Sequence, residues 1–290
     1  MSSVLKIQHE IIGSARDFLA KEGFFEILPV LLSAETDPLC HEVVDAKIPY
    51  CGMEFFLMKS MILHKQIALK HLDKIFCFSP NIRLETEEKR DSGRHLLEFT
   101  QLDLEVKGAK RDEILSLGEK LFSYVMLSVL KKHRADLSRL TMPLVPFRRI
   151  TYADAVEKYG LDFELKLSTE AKSPVWLIDI PIEKREFYDR EDPARPGILL
   201  DYDLIYPEGF GEALSGGERE FEYGKVVERI KKAGGSPEKF AKYLEVVKEG
   251  IPPSAGFGIG IERLTRYICD LEHVKDARLF AKVPGGGLTL

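Results

Sequence analysis

Apolar residues recur at helical spacing in several parts of the chain. Between Leu5 and Glu22 they stand three or four positions apart, which predicts a helix that ends at Gly23. The same spacing predicts helices over residues 62–72, 112–133, 221–232, 237–248 and 262–269. Strand-like runs occupy residues 24–28, 54–58, 175–180, 198–206 and 256–260, and residues 33–50 are predicted to be loop.

Residues 74–106 contain two runs that alternate with period two. Apolar and polar positions alternate in 74–85 and again in 96–106, so each run is predicted to be a strand with one polar face. The charged segment 86–95 between them contains Gly93 and is predicted to be a hairpin loop. The pair would display on one face Arg83, Glu85, Phe99, Gln101, Asp103 and Glu105. An ordinary solvent-facing sheet surface is the alternative for this pattern.

A glycine run near the end of the chain adds to this picture. Gly256, Gly258 and Gly260 take every second position, so one face of the predicted strand lacks side chains and lets a ligand approach the backbone. Glu262 and Arg263 then open a helix, whose free N–H groups favour an anion. The alternative is a Gly-rich strand packed under a helix.

Carboxylates cluster in residues 201–219. Asp201 and Asp203 share a strand face, and Glu212, Ser215 and Arg219 follow a Gly-rich turn. Such oxygen ligands suit Mg²⁺ bridging phosphates, which usually takes one or two carboxylates. A surface hairpin with a polar tip is the alternative.

Strands mixed with helices and hairpin turns predict an α+β fold with an antiparallel sheet, in a single domain over residues 1–290. The net charge of −5 and the pI near 5.9 disfavour nucleic-acid binding over the whole surface. The longest apolar runs are broken by charge, which disfavours a membrane protein. Four scattered cysteines and the lack of a signal-peptide pattern favour a cytoplasmic protein.

The three clusters resemble the signatures of class II aminoacyl-tRNA synthetases. FSPNIRLE…RHLLEFTQLDLE is similar to motif 2, and GFGIGIERL is similar to motif 3. FFEILPVLL resembles the weaker motif 1, which in that family forms the dimer interface, so a homodimer is implied. The EFTQLDLE segment is closest to the aspartyl/asparaginyl subgroup. The resemblance covers nearly the whole chain and implies an antiparallel sheet flanked by helices.

The resemblance implies a site for ATP and Mg²⁺. Arg83 would hold the α-phosphate and the reacting carboxylate, Phe99 would stack on adenine beside Glu85, and Arg263 and His95 would meet the γ-phosphate. The implied metal ligands are Asp203, Glu212 and Ser215, with Asp203 weakened by its longer spacing from Glu212. Arg83 and Arg263 would be the catalytic residues.

The resemblance also implies an amino-acid pocket. Its residues would be Ser60, Gln101 and Asp103, with Asp37 meeting the substrate ammonium group. Lys65 and Arg219 stand where aspartate-specific members place cations, and two cations favour a dicarboxylate over a neutral amide. Ile62 departs from the subgroup, which commonly has a polar residue there.

These residues predict an ATP-dependent ligase that activates aspartate. The predicted catalytic core starts within a few residues of Met1, so we expect no anticodon-binding domain and no stable tRNA binding. The favoured hypothesis is therefore an asparagine synthetase, related to an archaeal type, that amidates β-aspartyl-AMP with ammonia. The alternatives are a truncated synthetase paralogue that loads tRNA or protein, and a catalytically inactive paralogue.

Overall fold

The computed structural model describes residues 1–137 and 139–287. Its α-helices are α1 (Ser2–Lys21), α2 (Ile62–Ala68), α3 (Arg111–His133), α4 (Tyr152–Tyr159), α5 (Phe163–Glu170), α6 (Tyr223–Lys232), α7 (Ala241–Glu249) and α8 (Ile261–Ile268). Its strands are β1 (Phe25–Glu26), β2 (Leu32–Ser33), β3 (Val43–Val44), β4 (Lys47–Tyr50), β5 (Met53–Leu57), β6 (Lys74–Ile82), β7 (Leu84–Glu85), β8 (Glu98–Lys107), β9 (Arg148–Thr151), β10 (Val175–Ile178), β11 (Asp201–Tyr206), β12 (Gly211–Glu218) and β13 (Ser254–Gly260). Short 3₁₀ turns include Glu87–Ser92, Ile182–Lys184 and Pro237–Phe240.

One eight-stranded sheet organises the molecule, in the order β1-β6-β8-β13-β12-β11-β10-β9. The strands from β6 to β10 in this order are antiparallel, and only the outer pairs β1–β6 and β10–β9 are parallel. Two small sheets, β2-β5-β4 and β3-β7, lie outside it. The prediction of an α+β fold with an antiparallel sheet flanked by helices is confirmed.

Helices α1, α3 and α8 cover one face of the large sheet. Their apolar residues form a single core with alternate residues of the strands, such as Leu102 and Leu104 of β8 and Phe257 of β13. Trp176 of β10 is fully buried in this core, where its ring meets Tyr202 edge-on at 5.7 Å. A second apolar cluster joins α2, α6 and α7. Because side chains of a strand alternate between faces, the polar residues of β8 point away from α1 and α3.

The spacing of apolar residues explains why helix α1 forms and which of its faces is buried. Its buried residues Ile7, Ile11, Ala15 and Phe18 stand three or four positions apart and face the core. The helix ends at Lys21, and Gly23 follows with φ of 81°, a conformation that favours glycine. The predicted helix over 5–22 is confirmed to within three residues at its start.

One predicted loop is wrong in part, and a central strand of the large sheet is not predicted. Residues 33–50 contain β3 and β4, which the sequence pattern does not reveal because all four residues of β4 are exposed and show no alternation in burial. The segment that follows the predicted Gly-rich turn is the central strand β12, which the sequence pattern does not predict; its Gly216 and Gly217 lie against the neighbouring strands β13 and β11. Across the described residues, no helix combines the length and the apolar character needed to span a bilayer.

Candidate active site

A cavity of about 390 Å³ opens on the polar face of the large sheet. Its size is in the range of small-molecule sites. The residues predicted from the sequence that line it are Asp37, Ser60, Lys65, Arg83, Glu85, His95, Phe99, Gln101, Asp103, Glu212, Ser215, Arg219 and Arg263. The structure thus brings together residues that lie up to 226 positions apart in the chain, from Asp37 to Arg263.

The pairing of strands β6, β8 and β13 determines the positions of the residues at the centre of the cavity wall. Ser79 of β6 pairs with Gln101 of β8, and Gly258 of β13 pairs with Asp103. A Cβ on Gly258 would lie 2.6 Å from Gln101 Nε2 and 3.0 Å from Asp103 Oδ1. The glycine therefore leaves room for these two side chains, as the alternating glycines predict.

Three arginines, Arg83, Arg94 and Arg263, lie near Glu212 on one side of the cavity. We call these arginines, together with Glu212 and His95, the arginine cluster. Arg263 Nη1 donates to Glu212 Oε1 at 3.0 Å. Burial alone would raise the pKa of Glu212, but Arg263 and the other arginines lower it to about 2. Glu212 is therefore ionised at neutral pH. Arg94 also pairs with Glu164, which leaves Arg83 without a carboxylate partner among the described residues and available to an anion such as a phosphate.

His95 belongs to the same cluster. Burial, together with the positive charge of Arg263, lowers the pKa of His95 to about 4. Its Nδ1 lies 2.6 Å from the Ser92 hydroxyl. At neutral pH the imidazole is neutral, so it offers hydrogen bonds but adds no charge.

A second group, which we call the Lys65 network, comprises Lys65, Asp103, Glu105, Asp189 and Arg219. Lys65 Nζ lies 3.1 Å from Asp103 Oδ1 and 3.3 Å from Glu105 Oε2. Arg219 contacts Glu105 at 3.1 Å and Asp189 at 2.6 Å. Each member is at most 4% exposed, so these charges interact with little screening by water.

Asp203, a predicted metal ligand, is not part of the cavity wall. Its Oδ1 accepts a hydrogen bond of 2.6 Å from Arg185 Nη2, and the same guanidinium bonds Asp201. In the described ranges, 1–137 and 139–287, no cluster of three or more His, Cys, Asp or Glu residues is arranged to hold a metal ion. Glu212 and Ser215 do line the cavity, which fits Mg²⁺ held by one carboxylate, phosphates and water.

The sequence analysis missed the segment 185–189, which contributes Arg185, Glu186, Tyr188 and Asp189 to the cavity. This segment follows a 3₁₀ turn and has no regular element of its own, so no periodicity marks it. The only available signal is its composition, since charged residues flank the aromatic pair Phe187 and Tyr188. The cavity residues Lys89 and Arg94 were likewise assigned only to a charged loop.

Comparisons with known proteins agree with this geometry. The family model described as tRNA synthetases class II (D, K and N) matches residues 1–284. The asparagine–tRNA ligase of Pyrococcus abyssi is 33% identical, covering 98% of this chain and 69% of the relative. That of Pelotomaculum thermopropionicum is 32% identical, covering 97% and 69%.

Solved structures show the same similarity. The crystal structure of asparaginyl-tRNA synthetase from Pyrococcus horikoshii with asparaginyl-adenylate has a TM-score of 0.89 at 29% identity, covering 98% of this chain and 69% of that one. The aspartyl-tRNA synthetase from Entamoeba histolytica has a TM-score of 0.82 at 27% identity, covering 99% and 59%. Because the family model spans nearly the full length, the chain belongs to the class II tRNA synthetases of the D, K and N group.

Proposed function

We propose that this chain activates aspartate with ATP to form an aspartyl adenylate. Enzymes of its class use ATP with Mg²⁺, and their catalytic domain forms aminoacyl adenylates. The observation that carries the choice of aspartate is the Lys65 network, in which two buried cations, Lys65 and Arg219, lie beside the cavity. Both cations are already paired with Asp103, Glu105 and Asp189. The choice therefore rests on a substrate carboxylate taking the place of one of these partners, which a neutral amide does less well.

The chemistry would rest on electrostatics. An oxygen of the substrate carboxylate attacks the α-phosphorus of ATP, and the bond to the β-phosphate breaks to release pyrophosphate. Arg83 and Arg263 line the cavity and would neutralise the charge that develops on the phosphates. Mg²⁺, held by Glu212 and Ser215, would add charge neutralisation.

Transfer to tRNA is the first candidate for the second step. The relatives are asparagine–tRNA ligases by name, and they match 97% to 98% of this chain. This support reverses the order expected from the sequence, in which amidation by ammonia comes first and tRNA binding is not expected. A homodimer through the segment 24–32 belongs to the same proposal, because this segment exposes Phe25, Leu28, Leu31 and Leu32.

Amidation by ammonia, giving asparagine, AMP and pyrophosphate, is the second candidate. The specific observation in its favour is the number of carboxylates near the Lys65 network. Asp37 and Glu186 line the cavity in addition to Asp103 and Asp189, and a negative wall attracts an ammonium ion. This candidate keeps aspartate as the activated amino acid.

Pyrophosphate exchange tests the first step. Purified protein with Mg²⁺ and ATP is expected to incorporate labelled pyrophosphate into ATP in the presence of aspartate, and much less with asparagine. Exchange that prefers asparagine would contradict the assignment of the substrate. Labelled aspartate is then supplied with unfractionated tRNA or with ammonium chloride. Acid-precipitable label identifies transfer to tRNA, whereas free asparagine with AMP identifies amidation.

A further inference from the structure

Glu186 is a cavity residue to which neither the sequence pattern nor the proposed first step assigns a role. It lies between Arg185 and the buried Phe187, in the segment that follows the 3₁₀ turn Ile182–Lys184. Asp37, Tyr188 and Asp189 line the same cavity. We call Asp37 and Glu186 the acidic wall.

Two distant parts of the chain hold the acidic wall in place. Glu186 Oε1 accepts a hydrogen bond of 2.8 Å from the backbone N–H of Cys40, and its own carbonyl accepts one of 2.6 Å from Arg229. Asp37 Oδ1 accepts hydrogen bonds of 3.1 Å from the Tyr188 hydroxyl and from the Leu39 backbone N–H. The position of the two carboxyl groups is therefore fixed by the fold and does not depend on a ligand.

Nearby cations are already paired with other carboxylates. Lys65 and Arg219 contact Asp103, Glu105 and Asp189. Arg185 contacts Asp201 and Asp203. Among residues 1–137 and 139–287, no lysine, arginine or histidine nitrogen lies within 4.0 Å of a carboxylate oxygen of Asp37 or Glu186. Asp37 is 3% exposed and Glu186 is half-buried, so the acidic wall lacks the counter-ion that carboxylates removed from water normally have.

A third carboxylate in the cavity, Asp103, has a buried oxygen without a hydrogen-bond partner within the described residues. Asp103 is 2% exposed, and the oxygen concerned is its Oδ2. Burial and the neighbouring Asp37 and Asp189 raise the pKa of Glu186 to about 7. A cationic donor in the cavity would satisfy these oxygens and return Glu186 to its ionised form.

We propose that Glu186 is a further substrate-binding residue of this cavity and that it receives a primary ammonium group. The group is either the amino group of the bound amino acid or a free ammonium ion that enters as the second substrate. A primary ammonium group carries one positive charge and three donors, which matches separate carboxylates better than a planar guanidinium does. This assignment rests on the proposed activation of aspartate.

The variant Glu186→Gln tests the assignment. The glutamine amide oxygen can still accept the hydrogen bond from Cys40, so the substitution removes the charge but keeps the contact that holds the residue. Glu183→Gln, on the exposed turn three residues earlier, removes the same charge outside the cavity and is the matched control. For both variants and the parent protein, calorimetry gives the affinity for aspartate, and steady-state assays give the KM for aspartate in pyrophosphate exchange and for ammonium in AMP formation.

We expect Glu186→Gln to weaken one ammonium-bearing ligand about tenfold, as loss of a charge-assisted hydrogen bond would. A weaker affinity and a higher KM for aspartate identify the amino group of the substrate. A higher KM for ammonium alone identifies the free ion. Parent-like values for both ligands, or equal losses in Glu183→Gln, would overturn the assignment. If the parent binds aspartate but shows no exchange, the proposed function fails, while the calorimetric comparison still decides the role of Glu186.

Discussion

Arg83 is held at the cavity wall from two sides. Its Nε donates to the Lys59 carbonyl at 3.1 Å, and its guanidinium lies 5.2 Å from the centre of the Phe99 ring. These contacts orient the side chain before any ligand binds, which is the condition for electrostatic stabilisation of a transition state.

Arg83→Ala is expected to lower aspartate-dependent pyrophosphate exchange by about 10² to 10³, the effect of losing one preorganised donor. The fold should persist because Arg83 makes no ion pair with another side chain in the described ranges. Exchange kinetics together with far-UV circular dichroism check both statements. Arg149→Ala, which removes an exposed arginine paired with Asp112, is the control and should retain parent activity. Near-normal exchange in Arg83→Ala would contradict the role proposed for it.

His95 gives a prediction for the pH dependence of stability. Its pKa is about 4 in the folded protein and near 6.5 when unfolded, so the unfolded chain binds the proton first. The stability that neutral His95 contributes is complete above about pH 6.5 and is lost as the pH falls towards 4.

Three carboxyl groups have the opposite effect on stability as the pH falls. The pKa values of Glu186, Asp201 and Asp203 are raised to about 7, 7 and 6, so the folded chain binds these protons first and gains stability. They are common to the parent and to His95→Gln, so the difference between the two proteins isolates the histidine. We expect the urea midpoint of the parent, measured relative to that of His95→Gln, to be lower at pH 4.5 than at pH 7.5. An unchanged difference between the two proteins would contradict the lowered pKa of His95.

At the scale of elements, two glycines of strand β13 leave space for different neighbours. Gly256 lies against the backbone of β8, and Gly258 lies against side chains of the cavity. A Cβ on Gly256 would meet the Leu104 carbonyl and the Glu105 backbone, which cannot move without breaking the sheet. A Cβ on Gly258 would meet the ends of Gln101 and Asp103, which can rotate into the cavity. A side chain at position 256 would therefore disturb the pairing of the sheet, whereas one at position 258 would disturb the cavity.

Gly258→Ala is expected to raise the KM for aspartate about tenfold while costing about 1–3 kcal/mol of stability, because the methyl displaces cavity side chains. Gly256→Ala should unfold at a lower temperature than Gly258→Ala. Gly224→Ala in helix α6, where nothing lies within 4 Å of the new Cβ, is the control and should be neutral or more stable by up to about 1 kcal/mol. Thermal unfolding and exchange kinetics separate these outcomes, and an unchanged KM in Gly258→Ala would contradict the expectation.

The accuracy of sequence prediction differs between elements for physical reasons. Strands β6 and β8 were predicted well because one face meets an apolar core and the other a polar cavity, which produces strict alternation. Strand β12 is not predicted because it is built largely from small residues and is buried at most positions, so it shows no alternation of apolar and polar residues. Glu186 was missed because its position depends on Cys40 and Arg229, contacts between residues 43 to 146 positions apart.

At the scale of the whole molecule, an apolar segment remains exposed. Within residues 24–32, Phe25 is 59% exposed, Leu28 is 91% exposed, and Leu31 and Leu32 are both close to half exposed. Exposed apolar side chains grouped in one segment are typical of an interface, and the resemblance to motif 1 implies a second copy of the chain as the partner.

We expect the protein to sediment with about twice its chain mass of 33.0 kDa. Leu28→Asp should raise the dimer dissociation constant at least tenfold, because a buried carboxylate without a partner would lie in the interface. Leu161→Asp alters a leucine that is 85% exposed outside this segment and should leave the dimer intact. Analytical ultracentrifugation gives both values, and a monomeric parent protein would refute the proposed assembly.

The buried indole of Trp176 has a practical consequence for all these experiments. It is the only tryptophan of the chain, its Nε1 donates to Glu119 at 2.9 Å, and it does not line the cavity. Its fluorescence therefore reports on the packing between the sheet and helix α3. A buried indole emits at shorter wavelength than one in water, so a blue-shifted emission spectrum from a variant would show that its core is intact. The spectrum can be recorded on the same sample that is used for the binding or kinetic measurement.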